Sequence, residues 1–394
     1  LPNANEMNRY KITFASACFG MLLFGISLIT LGSVASDLQE KFQLDAVDSG
    51  TLFSILPIGI ILGSLLFGPV SDRYGYKFFF VVSCACLLLG FQGIAWSESL
   101  GLLRFCIFLF GFGGGAINGA TNAVVADISS DNNKGANLSL LGVFFGIGAL
   151  GMPSVLAALE KQFSVQQVVA SVGLLPVAAA VLFLFTRFPP PKRNQGVGAD
   201  AIFSLLRNSF LWLIGFFLFC QSAVEGVINN WTTTYLEKHF SFAGSRALFT
   251  LSLYVAGLTV MRLALGSVLR NVSPSRIMAL SLALLFTGAF ILRTTHTPAF
   301  ATAALIISGA GLAAGFPVML GFAGARFAEL SATAFSIILT VALAGNMIIN
   351  YVTGIVIDRF GIGQYTTITL VLYAAMVPLT YFILRKQQKE IPKS

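Results

Sequence analysis

What most constrains this chain is a succession of apolar runs, each long enough to cross a lipid bilayer, parted by short polar gaps. A spanning helix needs about 20 mostly apolar residues. On that basis the sequence predicts twelve spans, at 12–36, 48–71, 77–96, 100–126, 136–158, 166–187, 208–236, 246–269, 275–294, 299–324, 331–357 and 364–385. Peptide groups in hydrocarbon have no water to bond, so each span must satisfy its own backbone as a helix. Composition agrees: of 394 residues 56% are hydrophobic and 10% charged, where a soluble domain carries about 25% charged residues. The expected class is an all-α membrane protein. Ile12 to Val34 is too long for the core of a cleavable signal peptide and is read as the first span.

The net charge of +8 does not mark a nucleic-acid partner, because the basic residues lie in the gaps between apolar runs and form no stripe. Their distribution orients the chain instead. With the N-terminus cytoplasmic, about sixteen of the 24 Lys and Arg fall on the cytoplasmic side, among them Lys11, Arg73, Lys77, Lys134, Arg207, Arg276 and Arg385. The expected location is a bacterial inner membrane with both termini cytoplasmic. Cys18, Cys84, Cys86, Cys106 and Cys220 all sit inside apolar runs and read as small buried hydrophobes. His239 and His296 build no metal constellation, and no cofactor is expected.

The one longer gap, Arg187 to Asn208, holds Pro189-Pro190-Pro191-Lys192-Arg193-Asn194 and a short amphipathic piece around Ile202 to Leu206. It divides the chain into an N-terminal bundle (1–187), a cytoplasmic linker (188–207) and a C-terminal bundle (208–394). The halves repeat. Span two ends in Gly68-Pro69-Val70-Ser71-Asp72-Arg73-Tyr74-Gly75-Tyr76-Lys77, and span eleven closes on Gly354-Ile355-Val356-Ile357-Asp358-Arg359-Phe360-Gly361. Span eight ends in Gly266-Ser267-Val268-Leu269-Arg270 at the matching place in the second half. Such copies fit inverted three-helix units nested in each half.

Gly68 to Lys77 resembles the signature loop of the major facilitator superfamily, G-x-x-x-D-[RK]-x-G-x-[KR], between its second and third helices. The resemblance covers nearly the whole chain. It implies two pseudo-symmetric six-helix bundles, transport of a small molecule by alternating access, and a monomer. It also implies a gate latch at Gly68, Asp72, Arg73, Gly75 and Lys77, with Asp358 and Arg359 as the repeat's copy. The physics of the loop is readable: Gly68 permits close helix approach, and Asp72 can cap a helix N-terminus, where the positive dipole end favours a carboxylate. The run Gly111 to Gly115 with Asn118 and Asn122, the glycine-rich fifth span with Asn137, and Glu225 followed by Trp231 and Tyr235 are similar to the fucose–galactose–glucose:proton symporter branch. Members of that branch carry carboxylates within helices one and four. Here span one has no acid before Asp37, and span four offers amides.

Polar side chains at membrane depth are costly and point to a cavity or an ion path. Span seven carries Gln221, Glu225 and Asn229 at a spacing of four, with Asn230 and Trp231 beyond. Span four carries Asn118 and Asn122, span eleven Asn346 and Asn350, and span one Thr30. Amides donate and accept, as sugar hydroxyls do; singly, each asparagine is as readily explained as interhelical glue. Glu225 is the carboxylate placed well inside a span, which makes it the candidate proton-coupling residue or a hydroxyl acceptor. Direct pairing with Arg262 is not expected, since Arg262 falls nearer the cytoplasmic end and Glu225 nearer the outer one; Arg104 is the other possible partner. Span ten, with Gly309, Gly311, Gly315 and Pro317, reads as a bending gate helix.

Gly146-Ile147-Gly148-Ala149-Leu150-Gly151 mimics a dinucleotide loop but lies inside a span with no preceding strand. No phosphate-binding loop and no catalytic cluster occurs, so an enzyme is not expected. The expected function is secondary transport of a small polar solute, a sugar or sugar-like metabolite, by proton-coupled symport or with another coupling ion. The alternative is an exporter of amphipathic drugs or lipids.

Overall fold

The computed structural model describes residues 4–43, 46–159, 162–190, 199–268 and 271–389. Leu269, Arg270 and the linker residues 191–198, Lys192 and Arg193 among them, lie outside this set. The described residues form helices joined by turns and loops, with no strand among them. In order they form α1 (Ala4–Ser33), α2 (Ala35–Phe42), α3 (Ala46–Tyr74), α4 (Tyr76–Trp96), α5 (Leu100–Ile128), α6 (Lys134–Leu159), α7 (Val165–Val172), α8 (Leu175–Phe185) and α9 (Ala199–Leu206). They continue as α10 (Ser209–Phe240), α11 (Gly244–Val268), α12 (Pro274–Thr294), α13 (Pro298–Leu312), α14 (Gly315–Arg326), a 3-10 turn (Ala328–Leu330), α15 (Ser331–Phe360) and α16 (Gln364–Lys389). Twelve of the resulting helical segments are long and apolar enough to cross a membrane, the number the apolar runs predict.

Two spans are broken. The sixth splits into α7 and α8 at Gly173 and Leu174, where Pro176 opens the second piece in the first turn, the place a proline's missing N–H costs least. The tenth splits into α13 and α14 at Ala313 and Ala314. Helices α10 and α15 run past their expected ends, to Phe240 and Phe360. α9 forms over the amphipathic piece of the linker.

The helices gather into two compact units. The first comprises 1–129, 144–202 and 327–337; the second comprises 130–143, 203–326 and 338–394. The start of α6 thus belongs with the second unit and the start of α15 with the first. In the first unit α3 lies along α5, and the crossing is a small-residue seam on both sides, Gly59-x-x-x-Gly63 against Gly111-x-x-x-Gly115. A methyl group on Gly111 would stand 3.1 Å from Ile60 N and 3.2 Å from Gly59 Cα, so the two backbones touch. Helices in lipid gain little from apolar burial, and such close packing is what holds them together. In the second unit α11 and α12 both pack on α13, and α10 on α16.

Candidate transport site and latch

In the second unit α10 places Glu225 midway along its length. Its Oε1 accepts from Gln221 Nε2, one turn earlier, at 3.2 Å, and stands 4.0 Å from Arg262 Nη2 of α11. The expectation that Glu225 and Arg262 would be too far apart in depth is therefore corrected. The reason is side-chain direction. A helical side chain leans toward its own N-terminus, and consecutive spans run in opposite directions. Glu225 leans toward Ser209 and Arg262 leans away from Val268, so two Cα atoms at different depths send their charges toward one another. Arg262 is buried, 6% exposed. Its Nη1 reaches Gly142 O of α6 at 3.4 Å, its carbonyl accepts from Ser139 Oγ at 2.6 Å, and its stem lies flat on Gly142, where a side chain would displace it. Arg262 Nε makes no hydrogen bond.

Gln221 is fully buried and links this pair to the break in span ten. Its Nε2 also donates to Leu312 O, the last residue of α13, at 2.9 Å. That bond fixes the amide's orientation, because the opposite one would set two oxygens together. Gln221 Oε1, packed against Gly315, has no hydrogen-bond partner. The hydroxyl of Tyr254 on α11, likewise buried, has none either, and it lies within electrostatic reach of Glu225 and Arg262.

A second polar run on α10 faces α15. Asn230 Nδ2 donates to Asn350 Oδ1 at 3.0 Å, Asn350 Nδ2 to Asn346 O at 2.9 Å and to Asn346 Oδ1 at 3.1 Å, and Asn346 Nδ2 to Ser222 O at 3.0 Å. Gly226 makes room for this ladder; any side chain there would strike both asparagines. Trp231 packs near Gly354. Asn229 is exposed and does not join Gln221 and Glu225, which are turned into the unit. In the first unit Asn122 Nδ2 donates to Asn118 O at 2.8 Å and Oδ1 at 3.2 Å. Thr30, fully buried, spends its hydroxyl on Ile26 O.

The signature loop is bonded to the start of α15 inside the first unit. Asp72, 2% exposed, accepts from Thr333 N at 3.0 Å and from Thr333 Oγ1 at 2.6 Å. It thus caps the first turn of α15 from another helix. Gly68 allows the approach: a methyl on it would meet Thr333 Cα at 2.7 Å and Ser336 Cβ at 2.6 Å. Ser336 Oγ, in turn, is 2.6 Å from the carbonyls of Ser64 and Leu65. Lys77 reaches Leu184 O at the end of α8, at 2.6 Å, and Arg73 lies over the Tyr74 ring. Gly75 ends α3 at φ 82°, its N–H bonded to Ser71 O. Gly361 ends α15 at φ 86°, its N–H bonded to Ile357 O, so the repeat extends to backbone conformation. Asp358 and Arg359 are exposed at the opposite end of α15 from Ser331, away from these contacts. Asp127, at the end of α5, was not singled out from the sequence. It accepts from Tyr76 Oη at 2.7 Å and from Ser331 Oγ at 2.5 Å, a second cap on the same helix start.

A family model described as the Major Facilitator Superfamily matches residues 17–345. The chain belongs to the major facilitator superfamily. It is a multi-pass membrane transporter of that superfamily and not an enzyme. Among curated relatives it is 24% identical over 379 residues to a "Protein TsgA homolog" of Serratia proteamaculans (strain 568), covering 94% of each chain. It is 28% identical over 194 residues to the 4-hydroxybenzoate transporter PcaK of Pseudomonas aeruginosa, covering 48% of this chain and 43% of that one. Among solved structures it resembles FucP in the outward conformation, with TM-score 0.82 and 17% identity over 95% of this chain and 99% of that one. It also resembles the proton:xylose symporter XylE bound to 6-bromo-6-deoxy-D-glucose, with TM-score 0.81 and 13% identity over 96% of each. At such identities the likeness fixes the major facilitator fold.

Proposed function

We propose that this transporter is a symporter that couples proton entry to uptake of a sugar or sugar-like metabolite across a bacterial inner membrane, as a monomer with both termini cytoplasmic. The observation that carries the reading is Glu225, a carboxylate midway along a spanning helix, held between a buried guanidinium and a buried amide. A charge at that depth persists only when balanced, and Arg262 balances it. Protonation removes the need for the balance and frees Arg262 for Gly142 O. Gln221 carries the change onward. A protonated Glu225 offers an O–H, and Gln221 Oε1 lacks a donor. Rotation of the amide satisfies that oxygen and withdraws Nε2 from Leu312 O, releasing the carbonyl at the break of span ten. In the second unit the ladder of Asn230, Asn346 and Asn350, with Asn229 and Trp231, supplies amides and an indole face suited to a polyhydroxylated solute, and in the first unit Asn118 and Asn122 supply amides of the same kind. The bundles 1–187 and 208–394 are the bodies that alternate, and the Asp72 cap on α15 holds one of the two states. FucP and XylE, the sugar symporters named above, share this fold and favour the substrate class.

A carboxylated solute is the second reading, favoured by the unpaired Nε of Arg262 and by the partial similarity to PcaK. The test is uptake of labelled hexoses, hexonates and hydroxylated aromatic acids into proteoliposomes under an inward proton gradient, for wild type and Glu225→Gln. Gradient-driven accumulation of a sugar, lost in the variant, is the expected result. Uptake equal in both and indifferent to the gradient would make the protein a uniporter or one coupled to another ion. Accumulation of an acid alone would establish the second reading, and no uptake of anything by folded protein would leave the exporter of amphipathic compounds.

A further inference from the structure

We infer that the cleft between the start of α10 and the end of α16 is a binding site for an anionic phospholipid. Arg207, Arg385 and Lys386 converge there over a groove walled by Trp212, Phe216 and Phe382. No carboxylate lines it among the described residues. The place is the edge of the membrane: the spans run Ser209–Phe240 and Gln364–Gln387, so the cations stand at headgroup level and the rings one to two turns deeper. Phe216 and Phe382 are each 48% exposed and have the depth of acyl chains. Trp212 sits between, its indole N–H bonded to Leu206 O of α9 at 2.6 Å; indoles prefer this interfacial layer. The Lys386 ammonium is already turned to the Ser209 hydroxyl, which places a donor pair beside the N-terminus of α10, the positive end of its dipole. Arg207 and Arg385 are exposed.

The bland account is that basic residues collect on the cytoplasmic side of any membrane protein. That accounts for their side of the membrane but not for three of them, one from the turn before α10 and two from α16, meeting above an apolar groove with an aromatic rim. Basic pockets between spanning helices suit the phosphates of anionic lipids. A lipid phosphate, unlike a free one, uses both halves of this site, the cations through its headgroup and the groove through its chains.

The experiment is native mass spectrometry and thermal unfolding of the full chain in detergent, with phosphatidylglycerol, with phosphatidylcholine and with inorganic phosphate. Wild type should retain phosphatidylglycerol and unfold at higher temperature with it than with the other two. The triple variant Arg207→Gln, Arg385→Gln, Lys386→Gln should lose the difference, with affinity down on the order of a hundredfold for three cations. A charge-matched variant, Lys11→Gln, Arg187→Gln, Arg276→Gln, should keep it. Should the cleft triple not fold, Arg385→Glu alone should weaken retention about tenfold or more. The inference is overturned if the cleft variants bind as wild type does, if the matched variant loses binding equally, or if inorganic phosphate alone gives the full stabilisation.

Discussion

Asp72 takes the amide and the hydroxyl of Thr333 on one carboxylate oxygen, and its burial leaves no water to replace them. Removing it strands a helix-terminal N–H as well as a hydroxyl, a cost of about 1–3 kcal/mol to the conformation that holds the bond. Asp72→Ala should therefore expose the latch. Ser71 is a suitable reporter: it is 1% exposed and its hydroxyl makes no hydrogen bond, so Ser71→Cys removes nothing. With the five native cysteines replaced, alkylation at position 71 should be faster in Asp72→Ala by about 5- to 150-fold, and less so in Thr333→Val, which keeps the amide donor. An unchanged rate would mean that the cap does not hold the latch. Asp72 was legible because its motif names its position, and a carboxylate there suits a helix start, which it caps at Thr333. Asp127 was not, since an acid at a helix end is as often a solvated terminus, and only the arrival of Ser331 and Tyr76 distinguishes it. The Glu225–Arg262 approach was read in the wrong direction, because counting residues gives the depth of a backbone while charges meet at the tips of leaning side chains.

At the scale of elements, hydrophobicity predicted the number and type of helices because lipid leaves the backbone no other choice. It did not predict that span six breaks, whereas the bend read into span ten from Gly309 to Pro317 does fall where that span is interrupted. Gly173 with Pro176 looks in sequence like Pro57, Pro69, Pro153 and Pro378, which their helices carry without interruption. What marks the break in span ten is a partner on another helix, Gln221, whose amide takes the carbonyl that the interruption exposes. If that bond reports the state of Glu225, amide exchange over Ala313 to Phe316 should change with pH in wild type. It should lose that dependence in Glu225→Gln, where the charge is fixed, and also in Gln221→Leu, where the link is absent. Because this needs no substrate, it separates the link from the identity of the solute. Wild-type pH dependence in Gln221→Leu would rule out Gln221 as the link. Loss of the pH dependence together with faster exchange at every pH and a lowered unfolding temperature would reduce it to a packing residue.

At the scale of the molecule, the internal repeat predicts more symmetry than the chain retains. Gly68 and Gly266 occupy matching places, each at the end of a span where another helix begins. Four residues on, the first copy has Asp72 and the second has Arg270, so only the first can cap a helix start with a carboxylate. The neighbours differ as well. A methyl at Gly68 meets Ala332 O, Thr333 Cα and Ser336 Cβ, all within 2.7 Å and two of them backbone atoms. A methyl at Gly266 meets the end of the Leu140 side chain, at 2.5 Å for its nearest atom, and a leucine tip can swing aside where a helix backbone cannot. Gly68→Val should thus cost the latched conformation the about 1–3 kcal/mol typical of overpacking. It should raise alkylation at Ser71→Cys and depress uptake by a factor on the order of ten, while Gly266→Val stays within a fewfold of wild type on both measurements. Equal damage at the two glycines would mean that both ends of the repeat still work as latches and that the lost carboxylate is replaced by another contact. Damage at Gly266 alone would mean that the working latch lies in the second unit and that the capped α15 is a static joint.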